Sequence, residues 1–479
     1  MEKITNLTLC QVADLLKKGE LTSVEVTTAC LNKIKETSNL NALISVDEQL
    51  ALKQAEQADY RLKKGEKLPL LGVPIVIKDN ISTTEYKTTC ASKFLANYVA
   101  PYEATVVAKL KQAGAIILAK ANMDEFAMGS SGENSAMGRT LNPINTECVP
   151  GGSSSGSAVS VASNQCFGSL GTDTGGSIRQ PAGFCGVVGM KPTYGRVSRY
   201  GVVAFASSLD QVGPITRNVR DNAIMLDIIS GEDKMDSTSV KKGMTNFESF
   251  VDSEIKGKKI GVAKEFFELS LNKEIRTEID KTIEFYRENG AEIVNISLPN
   301  IAKSLAVYYI LSSAEAGSNL SRFDGIKYGV RANDYSGLVD LYYKSRTEGF
   351  GAEVKRRIMI GNYVLSAGYY DAYYKKASQV REVLKREFAE AFKKCDAIIS
   401  PVSPTTAFKF GELKTPMENY LADIYTVPVN IVGVPAISFP IGKDKSGLPI
   451  ACQLIANYWD EGVLYSLAGR YEKIKGGRG

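Results

Sequence analysis

Four short aliphatic and β-branched runs, at 70–79, 115–119, 259–262 and 291–294, constrain what this 479-residue chain can fold into more than any other feature. Each is bounded by glycine, proline or charge, and each is apolar almost throughout. Such strands are buried on both faces and need helices above and below them. The segments between them supply those helices. Val12, Leu15 and Leu16, then Val24, Val26, Cys30, Leu31 and Ile34, repeat at helical spacing. A pattern from Ala104 to Ala113 stops at Gly114, and Ile275, Ile279 and Ile283 share one face. A tyrosine-rich helical region runs from about 301 to 394, a strand at 396–400 returns to the sheet, and apolar segments near Ile431 and Ile450 close the fold. No proline- or serine-rich linker divides these parts, which favours one large α/β domain with a helical insertion over a string of small ones. A glycine-rich tail at 476–479 is expected to fray.

Between Asn122 and Ser208 the character changes to dense glycine and serine with few charges, a composition expected of functional loops rather than a packed core. Two clusters stand out, Pro150-Gly151-Gly152-Ser153-Ser154-Ser155-Gly156-Ser157 and Gly171-Thr172-Asp173-Thr174-Gly175-Gly176-Ser177-Ile178-Arg179. Flexible turns would explain them, as would a phosphate-cradling loop. The second reading lacks its motif: neither Gly-x-x-x-x-Gly-Lys-Ser/Thr nor a helix-opening Gly-x-Gly-x-x-Gly occurs.

The chain contains no histidine. Serine–histidine triads, cysteine–histidine dyads and histidine-built metal sites are therefore excluded, and any proton transfer must use another base. Eight cysteines, at 10, 30, 90, 148, 166, 185, 395 and 452, form no Cys-x-x-Cys pair and read as reduced, buried residues. A cysteine nucleophile working with glutamate and lysine is the rival reading. The net charge of +5 is spread along the chain and does not indicate a direct grip on nucleic acid. Neither a basic, apolar leader at Met1 to Thr5 nor a run of 18 apolar residues is present, so the expected location is the cytoplasm, away from membranes.

A serine hydroxyl attacks only when a base takes its proton, and without histidine a neutral lysine is the obvious candidate. Lys78 ends an apolar strand, where burial lowers its proton affinity, although an ion pair with adjacent Asp79 would serve structure alone. Gly175 and Gly176 let the chain turn sharply before Ser177 and aim successive N–H groups at one point, as an oxyanion hole requires. Ser153, which also follows two glycines, can relay a proton between Ser177 and Lys78 if the loops meet. With no histidine, a pH dependence near neutrality is expected to report Lys78 or the substrate.

At these residues the chain resembles the amidase signature family, serine hydrolases with a Ser–Ser–Lys triad. Lys78, the Gly-Gly-Ser-Ser cluster and Asp-Thr-Gly-Gly-Ser-Ile-Arg follow in the family's order over about 100 residues; Ser155 stands where many members have glycine. The resemblance implies a single α/β/α domain over 1–479 whose mixed central sheet is covered by helices. Within it, 1–70 are N-terminal helices, 71–215 the catalytic core, 300–395 a substrate-binding helical insertion and 396–470 the return to the sheet. It implies Ser177 as nucleophile, Ser153 as bridging serine reached through a cis peptide, Lys78 as base, and an oxyanion hole of N–H groups at Thr174, Gly175, Gly176 and Ser177.

Within the family the likeness extends over nearly the full length, including 318–325 and 353–357, to the glutamine-hydrolysing subunits of three-subunit, tRNA-dependent amidotransferases. That implies glutamine bound by Tyr308, Arg357 and Asp423, with the guanidinium on its α-carboxylate and the carboxylate on its α-ammonium. Read without it, Arg357 is a surface ion pair, Asp423 a helix start, and Arg356 an equally good choice. The resemblance further implies B and C subunits as partners in a heterotrimer, and misacylated Glu-tRNA(Gln) or Asp-tRNA(Asn) reached through that complex. ATP and magnesium belong to a partner subunit, and no cofactor or metal is expected in this chain. A free-standing amidase of another carboxamide and an inactive assembly subunit are the alternatives.

Overall fold

The computed structural model describes residues 2–243 and 245–476; residues 477–479 of the tail expected to fray lie outside them. Eleven strands among these residues form one sheet: β1 (Leu43–Val46), β2 (Pro74–Lys78), β3 (Ile116–Ala121), β4 (Gly168–Asp173), β5 (Val188–Lys191), β6 (Gln211–Thr216), β7 (Lys259–Ala263), β8 (Glu292–Ile296), β9 (Ala397–Pro401), β10 (Ala436–Lys443) and β11 (Pro449–Ala456). Their order is β1-β3-β2-β4-β6-β5-β10-β11-β9-β7-β8. β3, β2 and β4 run parallel, as do β9, β7 and β8, and antiparallel pairs join the two groups through β6, β5, β10 and β11. The sheet is mixed, and its middle strands are buried on both faces, as runs such as Ile75-Val76-Ile77 require.

Helices cover both sides. Leu9–Lys18, Ser23–Glu36 and Glu48–Lys63 bury Val12, Leu16, Val26, Cys30 and Ala51 against one face. The insertion places Ser304–Asn319, Ala352–Leu365 and Lys376–Phe392 over another part of the molecule, with Leu311, Val354, Leu384 and Phe388 in a second apolar cluster. Among the described residues, no helix is long and apolar enough to cross a membrane.

The glycine- and serine-rich stretch departs from its expected loop character. It contains β4, β5 and the helices Ser155–Ala162 and Arg179–Cys185, and nearly every residue from 148 to 198 is buried. Small residues here serve close packing: a Cβ at Gly156 would lie 2.1 Å from the Ala42 carbonyl oxygen. The parallel neighbours β2 and β4 end side by side, with Lys78 at one tip and Asp173 at the other. Clefts beyond the carboxyl ends of parallel strands are the usual place for a site in such sheets.

Candidate active site

Lys78 is fully buried at the end of β2, and its Nζ lies 2.8 Å from Ser153 Oγ, 2.9 Å from Ser154 Oγ and 2.9 Å from Thr172 Oγ1. None of these partners is charged. Asp79 turns elsewhere: it lies 3.7 Å from Lys120 Nζ and accepts from the Thr89 hydroxyl and N–H, so the Lys78–Asp79 pairing does not form. Burial pulls the Lys78 amine down to about 7, opposed by the charges of Asp124, Asp173 and Asp210. A large neutral fraction therefore exists near neutral pH. The rival thiol nucleophile has no such setting, because burial raises all eight cysteines above the usual thiol range, Cys90 well above it.

Three hydroxyls touch the lysine where one was expected. Ser154 Oγ donates to the Thr172 carbonyl at 3.1 Å, so its proton is already committed. Ser153, which follows a cis Gly152–Ser153 peptide, has Lys78 as its one side-chain partner among the described residues and keeps its proton free for transfer. Ser177 is 7% exposed, and its hydroxyl makes no hydrogen bond among the described residues; its carbonyl accepts from the Ser154 N–H at 3.1 Å, which ties the two serine loops together.

Asp173 shapes the loop between β4 and Ser177. Its carboxylate accepts from the Gly176 N–H at 2.8 Å and the Ile178 N–H at 3.2 Å, and Arg179 grips both oxygens at 3.0 and 3.1 Å. Despite burial, that guanidinium holds Asp173 down at about 2. The Gly176 N–H expected to face an oxyanion is thus committed to Asp173, whereas those of Thr174, Gly175 and Ser177 have no partner among the described residues. Glycine is required at both inner positions: a Cβ at Gly175 would meet Tyr308 Cζ at 2.5 Å, and one at Gly176 would meet Thr426 Oγ1 at 2.2 Å. Thr174 is fixed by its hydroxyl donating to Asp210 at 2.8 Å.

Tyr308, Arg357 and Asp423, far apart in sequence, converge beside this loop. The buried Tyr308 ring lies against Gly175 and edge-on to Tyr309, with centroids 5.0 Å apart. Tyr309 donates to Asp423 Oδ2 at 2.9 Å and stacks on Tyr420 at 3.9 Å. The Arg357 guanidinium sits 4.5 Å from the Tyr309 ring and 4.8 Å from the Tyr420 ring, and its Nε donates to Glu353 Oε1 at 2.7 Å. Arg357 is 3% exposed and its Nη1 has no partner among the described residues, while Arg356 lies exposed on the other side of Glu353. The geometry thus separates two arginines that the sequence left equal. Asp423 does not start a helix; Thr426 stands at the N-cap of Val427–Val432, and burial raises the Asp423 carboxyl to about 7. A cavity of about 300 Å³, bordered by Ser130, Glu353, Arg357 and Tyr420, opens outside the pair.

Sequence reasoning missed Ser154, Thr172, Tyr309, Glu353 and Tyr420. Two of them carried a signal, since Tyr309 adjoins Tyr308 and Glu353 stands four residues before Arg357 on one helix.

The Amidase family profile matches residues 25–464. The chain belongs to the amidase family. This amidase is 54% identical over 473 residues to the glutamyl-tRNA(Gln) amidotransferase A subunit of Caldanaerobacter subterraneus subsp. tengcongensis, covering 98% of this chain and 97% of that one. The crystal structure of the protein of the same name from Thermotoga maritima superposes with a TM-score of 0.81 at 41% identity, covering 98% of the amidase and 95% of that chain. The native peptide amidase of Stenotrophomonas maltophilia has the same fold, with a TM-score of 0.83 at 28% identity over 97% and 96% of the two chains.

Proposed function

We propose that this amidase is the glutamine-hydrolysing subunit of a tRNA-dependent amidotransferase, and that Ser177, Ser153 and Lys78 are its catalytic residues. The carrying observation is a neutral-capable lysine hydrogen-bonded to Ser153, together with a buried arginine whose Nη1 has no partner among the described residues and a buried carboxylate. That pairing fits the α-carboxylate and α-ammonium of a free amino acid, and the cavity outside Arg357 supplies an approach. Neutral Lys78 takes the Ser153 proton as Ser153 takes that of Ser177, and Ser177 Oγ attacks the glutamine carboxamide carbon. The oxyanion faces the N–H groups of Thr174, Gly175 and Ser177, with Gly176 holding the loop shape through Asp173. Lys78 returns its proton through Ser153 to the leaving nitrogen, ammonia departs, and water hydrolyses the glutamyl ester.

Ammonia would then pass to partner B and C subunits, which would hold the ATP and magnesium needed to activate Glu-tRNA(Gln) or Asp-tRNA(Asn). The names of the close relatives support this assembly. The chain co-expressed with its partner subunits should convert Glu-tRNA(Gln) to Gln-tRNA(Gln) with glutamine as donor. Cleavage of other carboxamides with glutamine ignored would instead establish a free-standing amidase.

Two expectations follow at the site. Glutamine kcat/KM should fall as pH drops through about 7, because Lys78 must be neutral and Asp423 charged, and both conditions fail on the acid side. This amends the view that only Lys78 or the substrate titrates near neutrality, since burial brings Asp423 there as well. A profile flat between pH 6 and 8 would contradict it. Arg357→Lys keeps the charge but loses the planar fork between two tyrosines, and should raise the glutamine KM by about tenfold or more with a smaller change in kcat. An unchanged KM would remove Arg357 from the binding site.

A further inference from the structure

We propose that Asp124 is a positioning residue for the proton relay, holding Ser153 beside Lys78 and supplying the negative charge that stabilises the lysine once it has taken a proton. This rests on the roles proposed for Lys78 and Ser153. Asp124 lies in the segment after β3 and is fully buried. Its N–H donates to the Ser153 carbonyl at 3.2 Å, while Gln180 Oε1 accepts the Gly152 N–H at 3.0 Å, so the peptide that presents the bridging serine is gripped at both ends. Its carboxylate lies close against that peptide: a Cβ at Gly152 would stand 2.0 Å from Asp124 Oδ2. The same carboxylate accepts from the N–H groups of Gly132 at 3.1 Å and Asn134 at 3.0 Å, and so secures the loop that carries Ser130 to Asp423.

The other charged groups around Lys78 are engaged differently. Asp173, at the end of β4, is neutralised by Arg179; Asp79, next in sequence, pairs with Lys120; Asp210 is held by Thr174 and the N–H groups of Phe205 and Ala206; and the Cys90 thiol is neutral. Asp124 has no cation within ion-pair distance among the described residues, and the charge of Glu133 acts against its ionisation. Of the charges that oppose the burial of Lys78, Asp124 acts most strongly. Burial raises the Asp124 carboxyl to about 6, so it is ionised at neutral pH, when the relay runs.

Removing the charge leaves the ammonium of Lys78 less stable. The lysine then stays neutral to lower pH but is a weaker base. In the assembled complex, Asp124→Asn is therefore expected to move the acid limb of Ser177 modification by a sulfonyl fluoride down by roughly half to one unit and to lower the plateau by about tenfold, whereas the limb of glutamine kcat/KM moves less, because Asp423 must still be charged. Two readouts share the test: glutamine kcat/KM, and the rate at which a sulfonyl fluoride modifies Ser177, which needs no glutamine. Asp124→Ser, smaller and equally uncharged, should give the same shift. A lowered plateau with the limb unmoved in both variants, or failure of both to fold, would assign Asp124 a purely structural part and overturn the proposal. Wild-type protein that is modified at Ser177 but ignores glutamine would refute the substrate and leave the Asp124 result standing.

Discussion

Replacing Ser177 with alanine is expected to lower glutamine hydrolysis by about 10⁴-fold or more while the protein folds and assembles normally. The Ser177 hydroxyl has no hydrogen-bond partner among the described residues, so its removal orphans no buried group. The loop itself is held by Asp173, Arg179 and Thr426, none of which relies on the serine side chain. Ammonium salts supplied to the variant complex should restore tRNA amidation, since only the ammonia source is lost. Ser153→Ala should approach the same loss, because Lys78 keeps Ser154 and Thr172 but its path to Ser177 is cut. Glutaminase activity retained in Ser177→Ala, measured as glutamate release, would remove the nucleophile from the account.

Arg179→Met is expected to destabilise the protein by about 3–5 kcal/mol, the cost typical of stranding one partner of a buried ion pair. Arg179 is wholly buried and joins three separate parts of the fold: Asp173 at the end of β4, the Val427–Val432 helix through the Thr426 carbonyl and Asn430 Oδ1 at 2.6 Å, and Gln453 Oε1 at 2.7 Å on β11. Without it Asp173 is a buried carboxylate with no cation at ion-pair distance among the described residues, and Lys191 acts on it only from farther away. The sign of the pH effect then reverses. In the wild type Asp173 sits at about 2, below its ordinary value of 3.8, so its contribution is present above about 4 and fades as pH falls toward 2. In the variant, protonation relieves the stranded charge, and the deficit should shrink on acidification. Thermal unfolding across pH measures both effects. Arg179→Met combined with Asp173→Asn should recover part of the loss, and equal stability of single variant and wild type would contradict the ion-pair argument.

Lys78 was legible in the sequence because an apolar run that ends in a lysine places an amine in a low dielectric, and the structure finds it there with no charged contact. The glycine pair before Ser177 was legible as a sharp turn, but not the packing that also demands it: only glycine leaves room for Tyr308 and Thr426. The burial of 148–198 was not. Periodicity reports side-chain alternation, whereas this segment packs by backbone approach between small residues, which leaves no period to read. Nor could spacing show that Asn430 and Gln453 would meet Asp173 and Arg179, because that contact is made by strand order. The proposed substrate pocket lies between these cases. Tyr308, Arg357 and Asp423 came from the family resemblance alone, and the choice between Arg356 and Arg357 needed the helix face that turns one arginine in and the other out.

The central claim is that Ser177 carries the glutamyl group in mid-reaction, and acid quenching of the complex during glutamine turnover, followed by peptide mass spectrometry, tests it most directly. The expected result is a Ser177-containing peptide heavier by glutamine less ammonia, absent in Ser177→Ala and absent without glutamine. An adduct on a cysteine or on Ser153, or turnover with no adduct at Ser177 when hydrolysis of the ester is slowed, would contradict it.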